Sequence, residues 1–461
     1  MSDPFQESTT VMERAHELAR LYVSSLASRS VARAATPEQM AEALDEPLPE
    51  SASDPAAALE EWLRRAEPGI VASAGPRFFG FVVGGVTPAA LGGDWLASAL
   101  DQCGGLFAAS PAAAQTELVV LRWLKELFNL PREWPGTLTS GATMANLVGI
   151  AAARQWAAQR LGFDAAVDGL AGRPAIPVIA GDTVHMSVVK SLGTLGLGRS
   201  CRRVPAPEGR VDVAALGTAL AAIEGPAIVL AGAGEVNTGA FDDLAAVAEL
   251  CAAHEAGAWL HVDAAFGLFA GASPRLAHLL RGIERADSVA ADGHKWLNVP
   301  YDCGFAFVRD RAALRGAFAT SAPYVAGSGG FDADDHGPEM SRRFRALAAW
   351  CALKAYGRDG YRVMVERCVE NASAFARWVK AARGLELLNE PSLNVVCFRY
   401  AASDDANRAA VAALQADGRV FVTGTVWGGR AAIRAAFDNW ATAPADVEIL
   451  ERAVSDIGSR A

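Results

Sequence analysis

Three stretches of this sequence carry residues whose types and order could do chemistry together. In Thr137-Leu-Thr-Ser-Gly-Ala-Thr-Met-Ala-Asn146 a strand runs through small residues into an apolar helix. Gly141 and Ala142 let backbone amides approach a ligand, and Ser140 and Thr143 offer hydroxyls. A helix start adds free N–H groups and a positive dipole end, so phosphate is the natural guest. In Trp259-Leu-His-Val-Asp-Ala-Ala265 an apolar strand ends in an acid. Ligands of open α/β sheets bind beyond the carboxyl ends of strands, and Asp263 there can pair with a protonated pyridine nitrogen. In Ala286-Asp-Ser-Val-Ala-Ala-Asp-Gly-His-Lys-Trp296 another short strand delivers His294 and Lys295 to the same edge. Apolar Trp296 and Leu297 are expected to desolvate Lys295 and free its amine for imine formation. Each stretch alone has an ordinary reading: a capped helix start, a salt-bridged acid, a snorkelling lysine. Together they supply what a phosphorylated pyridine aldehyde requires.

The elements that must position these residues are legible as periodicity. Pro177 to Ala180, Ala227 to Ala231 and Trp259 to Val262 read as buried strands, each followed by a loop and a helix candidate. In Asp242 to Ala256, Leu244, Val247 and Cys251 share one face, acids open the stretch and Gly257 stops it. Strands alternating with helices predict an α/β fold, a mostly parallel sheet with helices on both faces. Residues 1–74 are expected to form a helical segment, with Met12 to Ser25 amphipathic and Pro37 through Pro55 a loop-rich passage. Residues 75–350 then form the large domain, and 351–461 a small α+β domain. Arg342 to Lys380 reads as helix with a break near Gly357 to Gly360. Asn394 to Tyr400, Arg419 to Thr423 and Ala431 to Phe437 read as strands.

Bulk properties exclude several classes. The chain has 461 residues, a formal net charge of −10 and a pI near 5.3. With no block of Lys and Arg, it lacks the basic face that nucleic acid requires. The uncharged run Phe78 to Gly93 is shorter than the ~20 apolar residues of a membrane span. Met1-Ser-Asp-Pro-Phe-Gln-Glu shows no basic region followed by an apolar stretch, so no secretory signal is expected. Seven scattered cysteines without a Cys-x-x-Cys pair suit reduced thiols in a cytoplasmic protein, and no metal site is expected.

With these residues in view, the sequence resembles the group II pyridoxal-phosphate (PLP) decarboxylases, the family of aromatic-amino-acid and glutamate decarboxylases. The likeness runs from about Phe78 to Phe437 and is strongest in His294-Lys-Trp-Leu-Asn-Val-Pro-Tyr-Asp-Cys-Gly304. Ser110-Pro111 with Glu117, and Ser341-Arg-Arg-Phe-Arg345 with Trp350, resemble further landmarks. The resemblance implies fold type I of the PLP-dependent enzymes, a homodimer, and decarboxylation of an L-amino acid to its amine. By position, Lys295 matches the Schiff-base lysine and Asp263 the acid at the pyridine nitrogen. His185 matches the histidine stacked on the ring and touching the substrate carboxylate, and Ala265 the small residue against the ring. Gly141, Ala142 and Thr143 match the phosphate loop, with His294 and Asp292 beside it.

The chain also departs from the family. Gly234-Glu-Val-Asn-Thr-Gly-Ala-Phe-Asp242 lacks a Thr-rich stretch, so that cofactor contact stays unassigned. Phe78-Phe-Gly-Phe-Val-Val-Gly-Gly85 lacks a Pro-Thr ending, and Gly104 and Gly105 replace bulkier pocket residues; the substrate side chain therefore stays open. Between Tyr324 and Ser341 the mobile loop is short, leaving Tyr324 and His336 as candidate proton donors, and Gly327 to Gly330 and Asp332 to Asp335 suit a lid. A carbon–carbon lyase, a decarboxylating aldehyde synthase and a catalytically silent scaffold are the rival readings. An aminotransferase would need a second carboxylate-binding arginine, for which Arg434 is a positional candidate.

Overall fold

Alternate residues of the central strands enter two different cores. In the computed structural model, which describes residues 9–32, 35–320 and 330–459, Val229 and Ala231 face one core while Ile228 and Leu230 face the other. This two-sided burial explains why the strands read as continuous apolar runs. The large sheet comprises β1 (Gly136–Thr139), β2 (Val178–Gly181), β3 (Arg202–Val204), β4 (Ala227–Gly232), β5 (Ala258–Asp263), β6 (Ser288–Asp292) and β7 (Gly304–Val308). Their order is β1-β7-β6-β5-β4-β2-β3. All neighbours from β6 to β3 run parallel, whereas β7 is antiparallel to both β6 and β1. The helix Ala142–Arg160 covers one face. Pro111–Phe128 and the first part of Ala346–Ala381 cover the other.

A second sheet joins β8 (Leu385–Leu387), β9 (Val395–Tyr400), β10 (Thr423–Trp427) and β11 (Arg430–Ala436) in the antiparallel order β10-β11-β9-β8. The helix Ala346–Ala381 serves both bodies. It breaks at Gly357, which sits at φ 58°, and Phe375 and Val379 beyond the break pack under the small sheet. The break matches the expectation, and the proposed boundary at residue 350 falls inside this helix. Two expectations need correction. Arg419 to Val422 does not join the sheet: Phe421 bonds through its backbone to Arg77 and Phe79 and stacks on Phe78, so that run is spent on a bridge between bodies. Within the passage expected to be loop, Pro37–Leu44 is helical, because Thr36 and Gln39 form a reciprocal capping box and Pro37 fits the first turn. No helix among the described residues is long and apolar enough to cross a membrane, and no His, Cys, Asp and Glu cluster there could hold a metal.

Candidate active site

The strand β6 ends at Asp292, and one wide π-type turn, Gly293–Leu297, follows. Asn298 closes it in the left-handed conformation at φ 53°. Lys295 projects from this turn, its Nζ 3.4 Å from Asp292 Oδ2 and 5.7 Å from the centre of the Phe266 ring. Trp296 is not its desolvating neighbour, as the sequence suggested, because that side chain is enclosed in the core against Phe269. The segment after Gly80 clamps the turn from outside. Gly84 N–H donates to His294 O at 3.1 Å, and a Cβ on Gly84 would lie 1.9 Å from Lys295 O, so only glycine fits this close approach. Asn298 fastens the clamp. Its Oδ1 accepts from Gly85 and Trp440 N–H at 2.7 and 3.0 Å, and its Nδ2 donates to Asp438 O and Trp296 O at 3.0 and 3.2 Å.

One cavity brings together Lys295, His185, Asp263, Ala265 and Phe266. Asp263 ends β5, where its Oδ1 accepts from Ala265 N–H at 3.1 Å and its Oδ2 from Asn146 Nδ2 at 3.1 Å. His185 caps the helix Met186–Thr194, and its Nδ1 accepts from the Ser187 N–H at 3.3 Å and lies 2.7 Å from Ser187 Oγ. Burial lowers its pKa, more than Asp263 opposes this. The imidazole is therefore neutral at pH 7 with its proton on Nε2, leaving a neutral N–H donor at the cavity.

At the start of Ala142–Arg160, Gly141 is held at φ 139°. That backbone suits only glycine, and a Cβ on Gly304 would strike Gly141 itself, so two glycines leave the cradle its room. Asp292 Oδ1 accepts the Ala142 N–H at 2.8 Å. The next two amides, of Thr143 and Met144, have no acceptor among the described residues and are free for an anion. His294 lies 3.1 Å from Asp292 and 3.2 Å from Cys303 O, and its ring stacks on Tyr301. Burial lowers its pKa more strongly than Asp292 raises it, and the Nδ1–H of the neutral ring donates to Cys303 O. Free amides for a phosphate, an acid for a ring nitrogen and an amine for an aldehyde fit PLP.

The remaining expected residues lie elsewhere. His336 is buried with its ring against Phe331 and its Nδ1 donating to Asp332 O at 3.1 Å. Its turn packs beside the edge strand β1, and His336 is not among the residues that line the cavity with Lys295. Tyr324 and Gly327 to Gly329 lie outside the described residues. Arg434 is committed to carbonyls, those of Val236 at 2.6 Å and Phe81 at 2.9 Å, which removes the aminotransferase argument. Glu235, where the Thr-rich stretch was missing, closes its own loop by accepting from Asn237 and Thr238 N–H, both at 2.8 Å. Sequence reasoning missed Asn146, Asn298 and Asp438. Asn146 lay within a quoted stretch, but only folding shows that its amide meets Asp263. Asp438 is fully enclosed, with one carboxyl oxygen lacking a partner. Burial pushes its pKa up to about 7 against the opposing charges of Lys295 and Arg434.

The fold and the cavity define a PLP-dependent enzyme of the decarboxylase type. The model of the pyridoxal-dependent decarboxylase conserved domain matches residues 37–401. The chain is 33% identical over 402 residues to tryptophan decarboxylase 1 of Oryza sativa subsp. japonica, covering 80% of this chain and 77% of the relative. It is 34% identical over 369 residues to the L-2,4-diaminobutyrate decarboxylase of Rhizobium meliloti, covering 77% and 71%. The crystal structure of Oryza sativa TDC with PLP and tryptamine superposes with a TM-score of 0.91 at 28% identity, covering 98% and 97% of the two chains. The chain belongs to the pyridoxal-dependent decarboxylase family, and it is a PLP-dependent amino-acid carboxy-lyase.

Proposed function

We propose that this enzyme decarboxylates an aromatic L-amino acid to its amine. The convergence of Lys295, His185 and Asp263 on one cavity is the observation that carries the assignment of roles. Bound PLP supplies the electron sink. Lys295 binds its aldehyde carbon covalently, and Asp263 holds the proton at its ring nitrogen. Ala265 leaves room for a flat ring. The Thr143 and Met144 amides, with the hydroxyls of Ser140 and Thr143, hold the phosphate, while Asp292 and His294 fix the loop beside it. His185 directs its Nε2–H to the substrate carboxylate and orients the bond that breaks.

Phe81 supports an aromatic side chain. It is held at φ 64° beside Phe78 and Phe421, is 58% exposed, and its carbonyl accepts from Arg434, which lines the opening beside His185. Strained non-glycine backbone of this kind clusters at ligand sites. The tryptophan decarboxylase relative points the same way. A cationic side chain is the second reading, supported by the diaminobutyrate decarboxylase relative. A homodimer is supported by exposed apolar side chains on the N-terminal helices, including Leu21, Trp62, Trp95 and Leu100. Seven free thiols suit a reducing, cytoplasmic compartment.

Incubation of PLP-loaded enzyme with each amino acid, followed by mass spectrometry and carbon dioxide capture, tests the proposal. An arylethylamine with matching carbon dioxide is expected. Turnover of diaminobutyrate alone would establish the second reading. Aldehyde with ammonia and peroxide would overturn the amine product, and a parallel Tyr324→Phe sample reports whether that tyrosine supplies the proton. Borohydride labelling is expected to vanish in Lys295→Ala.

A further inference from the structure

Behind Asp263 lies a line of fully enclosed polar groups that the roles above do not use. Trp259 Nε1–H donates to Ser288 Oγ at 2.8 Å. Ser288 Oγ lies 2.8 Å from His261 Nδ1, and His261 Nε2 lies 2.9 Å from Asn146 Oδ1. Asn146 Nδ2 reaches Asp263 Oδ2 at 3.1 Å and Ser187 Oγ at 3.4 Å. Ser187 Oγ in turn contacts Nδ1 of His185. Asn146, His261 and Ser288 are each 0% exposed, so no water substitutes for a missing partner.

The partners fix the direction of every bond. Asp263 accepts only, so the Asn146 NH2 faces it and the Asn146 carbonyl faces His261. His261 must then carry its proton on Nε2, and its Nδ1 accepts the Ser288 hydroxyl. The Ser288 oxygen accepts from Trp259, which can only donate. Burial lowers the His261 pKa to about 4, with Asp263 the charged group opposing it, so the ring is neutral as this pattern demands. Gly149 makes the approach possible, since a Cβ there would lie 2.6 Å from His261 Nδ1.

We propose that His261 and Asn146 are positioning residues that, through one buried amide, set the carboxylate of Asp263 against the ring nitrogen and the Ser187–His185 pair against the ring face. The proposal rests on the reading that Asp263 meets the cofactor's ring nitrogen. Each donor aimed at Asp263 stabilises its anion and fixes which oxygen faces the ring. The second Asn146 N–H occupies Ser187 Oγ from behind, so the Ser187 hydroxyl points to His185 and keeps the His185 proton on Nε2. Removing His261 frees Asn146 to rotate and loosens both.

The test uses holoenzyme and three variants: His261→Phe, Asp263→Asn and the double variant. Two quantities are read, the pH midpoint of absorbance of the lysine-bound cofactor and the PLP dissociation constant by fluorescence titration. Weakening the anion at the ring nitrogen raises that midpoint, so His261→Phe is expected to move it in the direction of Asp263→Asn by about 0.5–1 unit. PLP binding is expected to weaken about tenfold, as for one hydrogen bond to a charged group. In the double variant the His261 change is expected to add nothing, because it acts through Asp263. His261→Gln, whose amide can both donate to Asn146 and accept from Ser288, is expected to restore the midpoint. Ser288→Ala, a smaller change, serves if His261→Phe fails to fold and is expected to shift the midpoint in the same direction by less. An Asp263→Asn shift without a His261→Phe or Ser288→Ala shift overturns the relay and leaves the Asp263 reading standing. Absence of an Asp263→Asn shift overturns that reading, and the relay with it.

Discussion

Asn298 joins three segments that are distant in sequence, and its loss has a calculable cost. Its side chain satisfies the N–H groups of Gly85 and Trp440 and the carbonyls of Asp438 and Trp296, all at a fully enclosed position. In Asn298→Ala those groups lose their partners without gaining water. The two amides alone cost about 2–4 kcal/mol at the usual penalty for a buried unsatisfied group. The left-handed backbone adds about 1–2 kcal/mol, because asparagine tolerates φ near 53° and alanine does not. A total of about 3–6 kcal/mol corresponds to a fall in melting temperature of about 3–6 °C, since a chain of this size unfolds with an entropy of about 1 kcal/mol per kelvin. The assay is thermal unfolding of holoenzyme at one scan rate, followed by cofactor absorbance and by circular dichroism. Asn298→Gly is the control, since glycine accepts the backbone but not the hydrogen bonds, so it should recover only about 1–2 °C. PLP release should precede global unfolding in both variants, because the freed Gly84–Gly85 segment is what presses on Lys295. A fall below about 1 °C in Asn298→Ala would show that the clamp does not depend on this side chain.

Two further outcomes are expected. Glu117 and Arg342 form an enclosed ion pair, with Arg342 also donating to Thr137 Oγ1 at 2.8 Å and Glu117 accepting from Leu138 N–H at 2.9 Å. Arg342→Met strands the carboxylate and should cost about 3–5 kcal/mol in urea unfolding, whereas Arg342→Met with Glu117→Leu should recover most of it; equal losses in both would refute the pairing argument. Asp438 has a pKa raised by burial to about 7, so its contribution to stability is intact below the ordinary carboxyl range and is lost as pH rises through about 7. Asp438→Asn should accordingly gain about 2–3 kcal/mol more at about pH 8 than at about pH 5, measured by unfolding at the two pH values. A pH-independent effect would show that the carboxyl titrates normally.

The parts of the site that the sequence announced are those carried by local pattern. Asp263 and Lys295 stand at or just after the ends of β5 and β6, and an apolar run followed by a polar residue marks a strand end in any parallel sheet. His185 was legible only through its resemblance to a family motif, since a histidine at a helix start has ordinary uses. The strand expected at Arg419 misled because an apolar run does not say which neighbour it pairs with. Phe421 chose the segment around Phe78, and the sheet began at Thr423 instead.

The sequence by itself determined the central strands β2, β4, β5 and β6, the strands β9 and β11 of the second sheet, and the class of cofactor. These follow from periodicity of two or 3.6 residues and from chemistry within a few positions. The tertiary structure alone decided that Asp292 and Phe266, rather than Trp296, face Lys295, and that His336 is enclosed beside β1. It alone made Asn146 the partner of Asp263 and Asn298 the tie between three segments. Several of these contacts join residues more than a hundred positions apart in sequence, as for Asn146 and Asp263, 117 positions apart. Periodicity shows which face of an element is buried, but partners across a core are chosen by how the elements stack and by the demand that every enclosed donor and acceptor be met.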